Sequence, residues 1–312
     1  MSTKKPIASL VSDIHLSATP PIARSNEKNW LGRQESYLQQ WADLKQRHSI
    51  PGIIGGDIFD KSREKESSTL INMAWDYLKD DYAIPGQHDL PYHDYDAMDG
   101  SAFGVLVKGG CIKLVEPDKP IYVKESKLVL HGFPWGFPIK PQTSSAFAKG
   151  VIHLAVIHAY CWHKENTYTG ASKSQNAVAY KKKLKGYDAA LFGDNHKGFL
   201  IKSGATTILN NGGFMRRKSD EINSTPSMGL LFNDGSIERV YLDCEKDVFI
   251  NPHTLRDMVG EIDGVDVSGF IEELESAESN GLDFVEILIK YIKDKKVNKH
   301  VKKILLDITE NK

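Results

Sequence analysis

Short apolar runs alternate with amphipathic stretches along the first half of this chain. Residues 7–11, 51–54, 82–84, 127–130, 151–157, 188–192 and 206–209 are mostly apolar and are bounded by polar or turn-forming residues, the signature of buried strands. Between the early ones, residues 35–47 place Tyr37, Leu38, Trp41 and Leu44 on one helical face. Residues 68–78 do the same with Leu70, Ile71, Ala74, Trp75 and Leu78. Strands and helices in alternation predict an α/β core. Later, residues 228–231 and 237–242 flank Asn233-Asp234-Gly235, a hairpin turn, so the second half is richer in strands. After about Lys246 the texture changes. Asn251-Pro252 breaks regular structure and three helical patterns follow. The last stripes Val297, Val301, Ile304, Leu305 and Ile308 along one face, with lysines on the other. The expected organisation is one domain over residues 1–245 and a small helical appendage over 246–312.

The chemistry sits where the apolar runs stop. The first run ends in Ser12-Asp13-Ile14-His15, and the second in Gly55-Gly56-Asp57-Ile58-Phe59-Asp60. The run at 82–84 ends in Pro85-Gly86-Gln87-His88-Asp89, the run at 151–157 in His158, and the run at 188–192 in Gly193-Asp194-Asn195-His196. In α/β folds the C-terminal strand ends share one edge, where ligands bind. Convergence there would collect Asp13, His15, Asp57, Gln87, His158, Asp194 and His196, with His88 nearby. All offer nitrogen or oxygen donors, a set suited to two divalent ions with one carboxylate between them. Two such ions polarise a phosphoryl group and lower the pKa of a bridging water, giving a hydroxide at neutral pH. A neighbouring imidazole can stabilise the developing charge or protonate the leaving oxygen. Taken singly, Asp13 reads as a helix cap, Asp57 as a turn former and His158 as a core histidine. Five successive strand ends of this kind are hard to assign to coincidence.

Composition narrows the classes. Lys plus Arg number 40 and Asp plus Glu 41, so no global field draws the chain to nucleic acid or an anionic membrane. Any polyanion must be held by local clusters or bound cations. Three widely spaced cysteines, Cys111, Cys161 and Cys244, with no CxxC pair, argue against a disulfide framework or thiolate zinc site and predict a reducing, cytoplasmic setting. The N-terminal apolar run leads straight into Asp13 and His15, unlike a signal peptide, and no apolar stretch is long enough to span a membrane.

DIH, GDIFD, GQHD, IHAY and GDNH, in that order, resemble the motifs of the calcineurin-like metallophosphoesterase family over roughly residues 7–243. The resemblance implies a four-layer α/β/β/α sandwich. It also implies that Asp13, His15 and His196 hold a first metal and that Asp57 bridges. Gln87, His158 and Asp194 would hold the second, with His88 as the catalytic histidine and Asp89 orienting its ring. Gln87 stands where that family has Asn and Asp194 where it has His. Both departures fall on the second metal, and the added carboxylate favours Mn²⁺ or Mg²⁺. Within the family the look is closest to the Mre11/SbcD nuclease branch and its phage-encoded relatives. GDIFD, PGQHD, HGFPWG and the NNGGFMRR…GLLFNDGSIERVYLD ending carry that likeness. It implies a Mn²⁺-dependent DNA exonuclease or endonuclease, a homodimer and a Rad50/SbcC-type ATPase partner. The alternative in the same family is a phosphatase or a nucleotide phosphodiesterase.

Several other residues bear on the substrate. Arg216-Arg217-Lys218 after a Gly-rich turn would either hold a phosphate chain or lie in a solvated loop. Arg24 and Arg33, in the long segment after DIH, are expected to border the site. Trp135 and Trp162 are expected either to stack bases or to pack the core. Asp60 reads as an orienting residue rather than a ligand, and His131 and His153 as structural. His93 and His163 are open.

Overall fold

The computed structural model describes residues 3–63, 67–142, 150–168 and 171–250. All but Ile250 belong to one compact unit, Met1–Phe249. The three helical patterns expected toward the C-terminus lie outside the described residues. Two six-stranded sheets form the core. In chain order the elements are β1 (Pro6–Val11), α1 (Trp30–His48), β2 (Gly52–Ile54), α2 (Ser67–Leu78), β3 (Tyr82–Ala83), α3 (Ala102–Lys108), β4 (Lys113–Leu114), β5 (Ile121–Val123), β6 (Leu128–Phe133), β7 (Ile152–His158), β8 (Ala189–Gly193), β9 (Phe199–Ser203), β10 (Thr206–Asn210), β11 (Ser227–Phe232) and β12 (Ile237–Tyr241). The first sheet runs β12-β11-β1-β2-β3-β4 and the second β5-β6-β7-β8-β10-β9. In the first, β1 to β4 are parallel and the β11–β12 hairpin adds antiparallel to β1. In the second, β6, β7, β8 and β10 are parallel between antiparallel edges β5 and β9.

Alternating side chains explain the layers. Leu10 and Ile53 of the first sheet face Leu130, Leu154, Val156, Leu191 and Leu209 of the second, and together they form the inter-sheet core. The next residues along, Val11 and Ile54, point the other way onto α1, α2 and α3 through Tyr37, Leu38, Trp41, Leu70, Ala74 and Phe103. Trp41 is fully buried and its Nε1–H donates to Ser9 Oγ at 2.8 Å, so the largest core side chain leaves no polar atom unpaired. The outer face of the second sheet, Ala155, Ile157, Ala190, Phe192 and Ile208, is covered by Tyr180, Leu184 and Tyr187. The arrangement is the expected four-layer sandwich, with one difference. Among the described residues the outermost layer on the second sheet is built from 3-10 turns, Lys173–Gln175 and Ala179–Lys182, rather than α-helices.

The parallel strands of both sheets aim their C-terminal ends at one edge. No helix among the described residues is long and apolar enough to cross a membrane, and all three cysteines are unpaired.

Candidate metal centre

Three of the five strand ends that carry a chemical group, those of β1, β2 and β8, deliver it through an unusual turn. Asp13, His15, Asp57 and Asp194 all have left-handed backbones, with φ of 54°, 51°, 53° and 83°. Each costs about 1–3 kcal/mol relative to relaxed backbone, and such costs cluster at functional sites. The turns point carboxylates and imidazoles inward instead of out to water. Gly56 and Gly86 make room for them. A Cβ on Gly56 would collide with the His158 ring, and one on Gly86 with Asp57 and His158.

Three overlapping groups of ligand atoms result, each with its atoms within 4.8 Å of one another: Asp13, His15 and His196; His15, Asp57 and His88; Asp13, Asp57 and His158. Asp57, expected to bridge, belongs to two of them, and so does Asp13. On one side, His15 Nε2 and His196 Nε2 face each other at 3.1 Å. Behind them, His15 Nδ1 lies 3.5 Å from Asp60 Oδ1 and His196 Nδ1 3.5 Å from Glu221 Oε1. A carboxylate lies behind each ring, 3.5 Å from Nδ1, and leaves Nε2 for a cation. On the other side, His158 Nδ1–H donates to the Gly55 carbonyl at 2.6 Å, and Nε2 faces Asp57 Oδ2 at 3.2 Å.

The residues fit divalent cations. Asp13 Oδ2, Gln87 Oε1 and His158 Nε2 are buried and make no hydrogen bond. An unsatisfied buried polar atom costs about 1–3 kcal/mol, and a bound ion is one of the standard explanations for it. The donors are imidazole nitrogen and oxygen, with no thiolate, which suits Mn²⁺, Mg²⁺ or Zn²⁺ better than soft metals.

Electrostatics separate the two sides. Burial lowers the His15 imidazole to about 4 despite Asp60 and Asp57 beside it. Burial also opposes charge on His158, but Asp57, Asp13 and Asp194 outweigh it and raise that ring to about 10. Asp57 is held well below the usual carboxylate range; His158, His88 and His15 overcome its desolvation. Burial raises Asp194 to about 6, with His158 and Gln87 opposing.

The two residues that depart from the resembled motifs meet each other. Gln87 Nε2 donates to Asp194 Oδ1 at 2.8 Å, and the Asp194 backbone N–H donates to Asp13 Oδ1 at 2.9 Å. The bond turns the amide so that Gln87 Oε1 is the free atom. Asp194 joins none of the three converging groups. Its first task in this geometry is to orient Gln87, where a direct ligand was expected.

Asp89 also differs from expectation. Its carboxylate accepts backbone N–H groups from Phe59 at 3.0 Å, Gly86 at 3.0 Å and Ile58 at 3.3 Å, so it ties the β2 and β3 turns together. The half-exposed His88 ring is oriented instead by the Asp60 carbonyl, 2.9 Å from Nδ1. That leaves Nε2 as its free nitrogen.

The arginines expected at the cleft are occupied inside the fold. Arg24 is fully buried, paired with Glu27 at 3.0 Å and Asp247 at 2.9 Å. Arg216 pairs with the same Asp247 at 2.9 Å, and Arg33 lies 3.5 Å from Glu27. Together they fasten the chain around Asp247 against α1. Arg217 supports the centre from behind, pairing with Asp60 Oδ1 at 2.7 Å and donating to the His15 carbonyl. Trp135 packs edge-on to His158 with centroids 6.5 Å apart, whereas Trp162 donates its indole N–H to the Ser172 carbonyl at 2.9 Å. His131 and His153 face each other at 3.1 Å on neighbouring strands, and His163 packs near Phe199. Sequence reasoning missed Glu221. Its only signal is its place in the segment after Arg216-Arg217-Lys218.

No family profile and no curated protein matches the sequence. Among solved structures the chain is similar to a putative 5′-nucleotidase from Staphylococcus aureus, at 14% identity over 82% of this chain and 58% of that one, TM-score 0.48. It is also similar to the SoxB sulfate thiohydrolase of Thermus thermophilus, at 12% identity over 76% of this chain and 56% of that one, TM-score 0.45. A third is the calcineurin-like phosphoesterase YfkN of Bacillus subtilis, at 14% identity over 76% of this chain and 88% of that one, TM-score 0.42. The chain thus spans little more than half the length of the first two. With these scores below 0.5, the reading of function rests on the centre's own geometry.

Proposed function

We propose that this chain is a metal-dependent phosphodiesterase of the calcineurin-like metallophosphoesterase type, working with two divalent cations. The observation that carries the reading is the convergence of Asp13, His15, Asp57, His88, His158 and His196 with unpaired lone pairs on Asp13 Oδ2 and Gln87 Oε1. Asp13, His15 and His196 would hold one ion and His158 and Gln87 the other, with Asp57 shared between them. Bound there, the cations supply Lewis-acid polarisation of the phosphoryl group and an activated water. The chain's own part is positional. Asp60 and Glu221 aim His15 and His196, the Gly55 carbonyl fixes the His158 tautomer, and Asp194 turns the Gln87 amide. His88, with Nδ1–H spent on the Asp60 carbonyl, keeps Nε2 to hold or deliver a proton at the leaving oxygen.

DNA is the substrate we favour, with Mn²⁺ as the native cation, in the manner of the Mre11/SbcD nucleases; a homodimer and a Rad50/SbcC-type ATPase partner belong to that reading. The oxygen donors Asp13, Asp57 and Gln87 beside the imidazoles, with no thiolate, support the metal, and the motif order supports the branch. One observation favours the second reading, a phosphatase or nucleotide phosphodiesterase. Arg24, Arg33, Arg216 and Arg217 are paired within the fold, so they do not form a track for a phosphate chain.

Cleavage of end-labelled single- and double-stranded DNA with Mn²⁺, beside bis-p-nitrophenyl phosphate, tests the proposal. The expected result is turnover that His88→Ala abolishes while Mn²⁺ binding is kept. Diester turnover with DNA left intact moves the substrate to nucleotides or phosphoproteins. No turnover of any ester with Mn²⁺ or Mg²⁺ overturns the proposal.

A further inference from the structure

The turn that follows His88 and Asp89 contains a second, unrelated strain. Tyr92 and the next residue, His93, are both left-handed, with φ of 58° and 56°. A bulky residue at positive φ is an outlier, and two in succession have a combined cost that some other requirement must offset. Packing is not that requirement, because Tyr92 is 88% exposed. Its one ring partner among the described residues is Arg63, whose guanidinium lies 5.9 Å from the ring centroid. Arg63 is itself held by a hydrogen bond from Nε to the Gly100 carbonyl at 3.2 Å. The turn is firmly built beneath: Leu90 and Pro91 are buried, the His93 N–H donates to the Leu90 carbonyl at 3.1 Å, and Asp94 caps Asp96 N at 3.0 Å. A rigid base therefore holds one aromatic ring out in water.

The position is beside the metal centre. The charges of His88 and Asp57 both act on the His93 ring. The loop also meets its counterpart from the second sheet: Tyr95 packs edge-on to Phe137 with centroids 5.0 Å apart, two residues past Trp135, which itself abuts His158. Aromatic side chains from both sheets thus run from this loop to His158, and Tyr92, four residues past His88, is the exposed ring among them.

We propose that Tyr92, backed by Arg63, is a stacking shelf for an unpaired nucleobase of the substrate, so that the centre acts on phosphodiesters joined to a nucleoside. The proposal rests on the phosphodiesterase reading and names its substrate class. A planar π-face suits any base, since base–aromatic stacking is sequence-tolerant. The Arg63 guanidinium above the ring strengthens the platform by cation–π attraction and adds charge for a neighbouring phosphate. A free nucleotide and the terminal base of a single strand present the same chemistry.

The test compares two esters that share a leaving group, thymidine 5′-(p-nitrophenyl phosphate) and methyl p-nitrophenyl phosphate, in the wild type, Tyr92→Phe and Tyr92→Ala. The ratio of their kcat/KM values is expected to fall about tenfold in Tyr92→Ala, mainly through KM, and to change less than about twofold in Tyr92→Phe. Tyr92→Gly should lose the ratio equally while its Tm holds or rises, since glycine relieves the left-handed strain. A ratio unchanged in Tyr92→Ala overturns the shelf, and so does an equal loss on both esters. If the wild type hydrolyses neither ester with Mn²⁺, it is the phosphodiesterase reading that has failed. The shelf then stands or falls on binding. A terminal 2-aminopurine in a single strand should be quenched by His88→Ala and not by the His88→Ala/Tyr92→Ala double variant, whereas equal quenching by both overturns it. Quenching of free 2-aminopurine nucleotide at similar concentrations marks a nucleotide substrate, and quenching confined to the strand marks nucleic acid.

Discussion

The two halves of the centre are built differently. On the Asp13 side, each imidazole that would meet a cation is backed by a charged carboxylate: Asp60 behind His15 and Glu221 behind His196. On the His158 side, the backing is a main-chain carbonyl, Gly55, and a side-chain amide–carboxylate bond, Gln87 to Asp194. The first side is the better prepared in charge, although burial of His196 is outweighed by Glu221 and Asp13, which draw that ring toward its charged form. His15 is neutral above about 4, and Glu221 is held ionised near 2, where its bonds from His196 and the Arg217 and Lys218 N–H groups outweigh burial. The second side keeps a proton on His158 that a cation must displace. A ready side and a side that is completed on binding should fill in that order.

The largest effect should come from removing what the halves share. Asp57→Ala is expected to cut diester turnover by at least about a thousandfold and to abolish paired binding of Mn²⁺, since several kcal/mol of charge stabilisation goes with it. Changes confined to one half should be smaller and selective. Glu221→Gln should weaken the first ion about 10- to 100-fold and leave the second nearly untouched; Asp194→Ala should do the reverse. Calorimetric titration with Mn²⁺ reads both, and equal losses on both sites from either variant would remove the distinction. Gln87 and Asp194 should act as a unit. The Gln87→Asn/Asp194→His double variant should retain more second-ion affinity than its singles imply, with a coupling of about 0.5–3 kcal/mol. The smallest effect is one of pH. Because His158 titrates near 10 in the metal-free protein, second-ion binding releases its proton at neutral pH, and affinity should rise up to about tenfold per unit between roughly pH 6 and 9. His15, lowered to about 4, adds no such dependence to the first ion over that range, and any that the first ion shows comes from His196, which Glu221 and Asp13 raise against its burial.

Much of this was legible before the fold was known, and for a physical reason. Buried parallel strands are continuous apolar runs, so the polar residue that ends each one stands out in the sequence. All five strand ends deliver a side chain to the converging groups, the third through His88, and Gln87 beside it has its amide oxygen free. What escaped notice depends on distance along the chain or on weak local signal. The Gln87–Asp194 bond joins residues 107 apart, and Glu221 reaches His196 from another loop. The Asp89 role was misjudged because its partners are backbone groups, which no residue type announces. The pairing of Arg24, Arg33 and Arg216 follows from Asp247, a partner placed more than 200 positions past the first of them. The edge elements β4, β5 and β9 are short or half polar. The start of α1 at Trp30 rests on Asn29, whose side chain accepts the Gly32 N–H, a cap hidden before an atypical first turn.

The central claim is a paired cation centre, and its most direct test is electron paramagnetic resonance of the protein titrated with Mn²⁺, wild type beside Asp57→Ala. Two ions about 3.5–4 Å apart are expected in the wild type, seen as an exchange-coupled spectrum after the second equivalent, with at most an uncoupled single-ion signal in the variant. A wild-type spectrum that stays uncoupled at saturation, or one that Asp57→Ala leaves unchanged, would contradict the account.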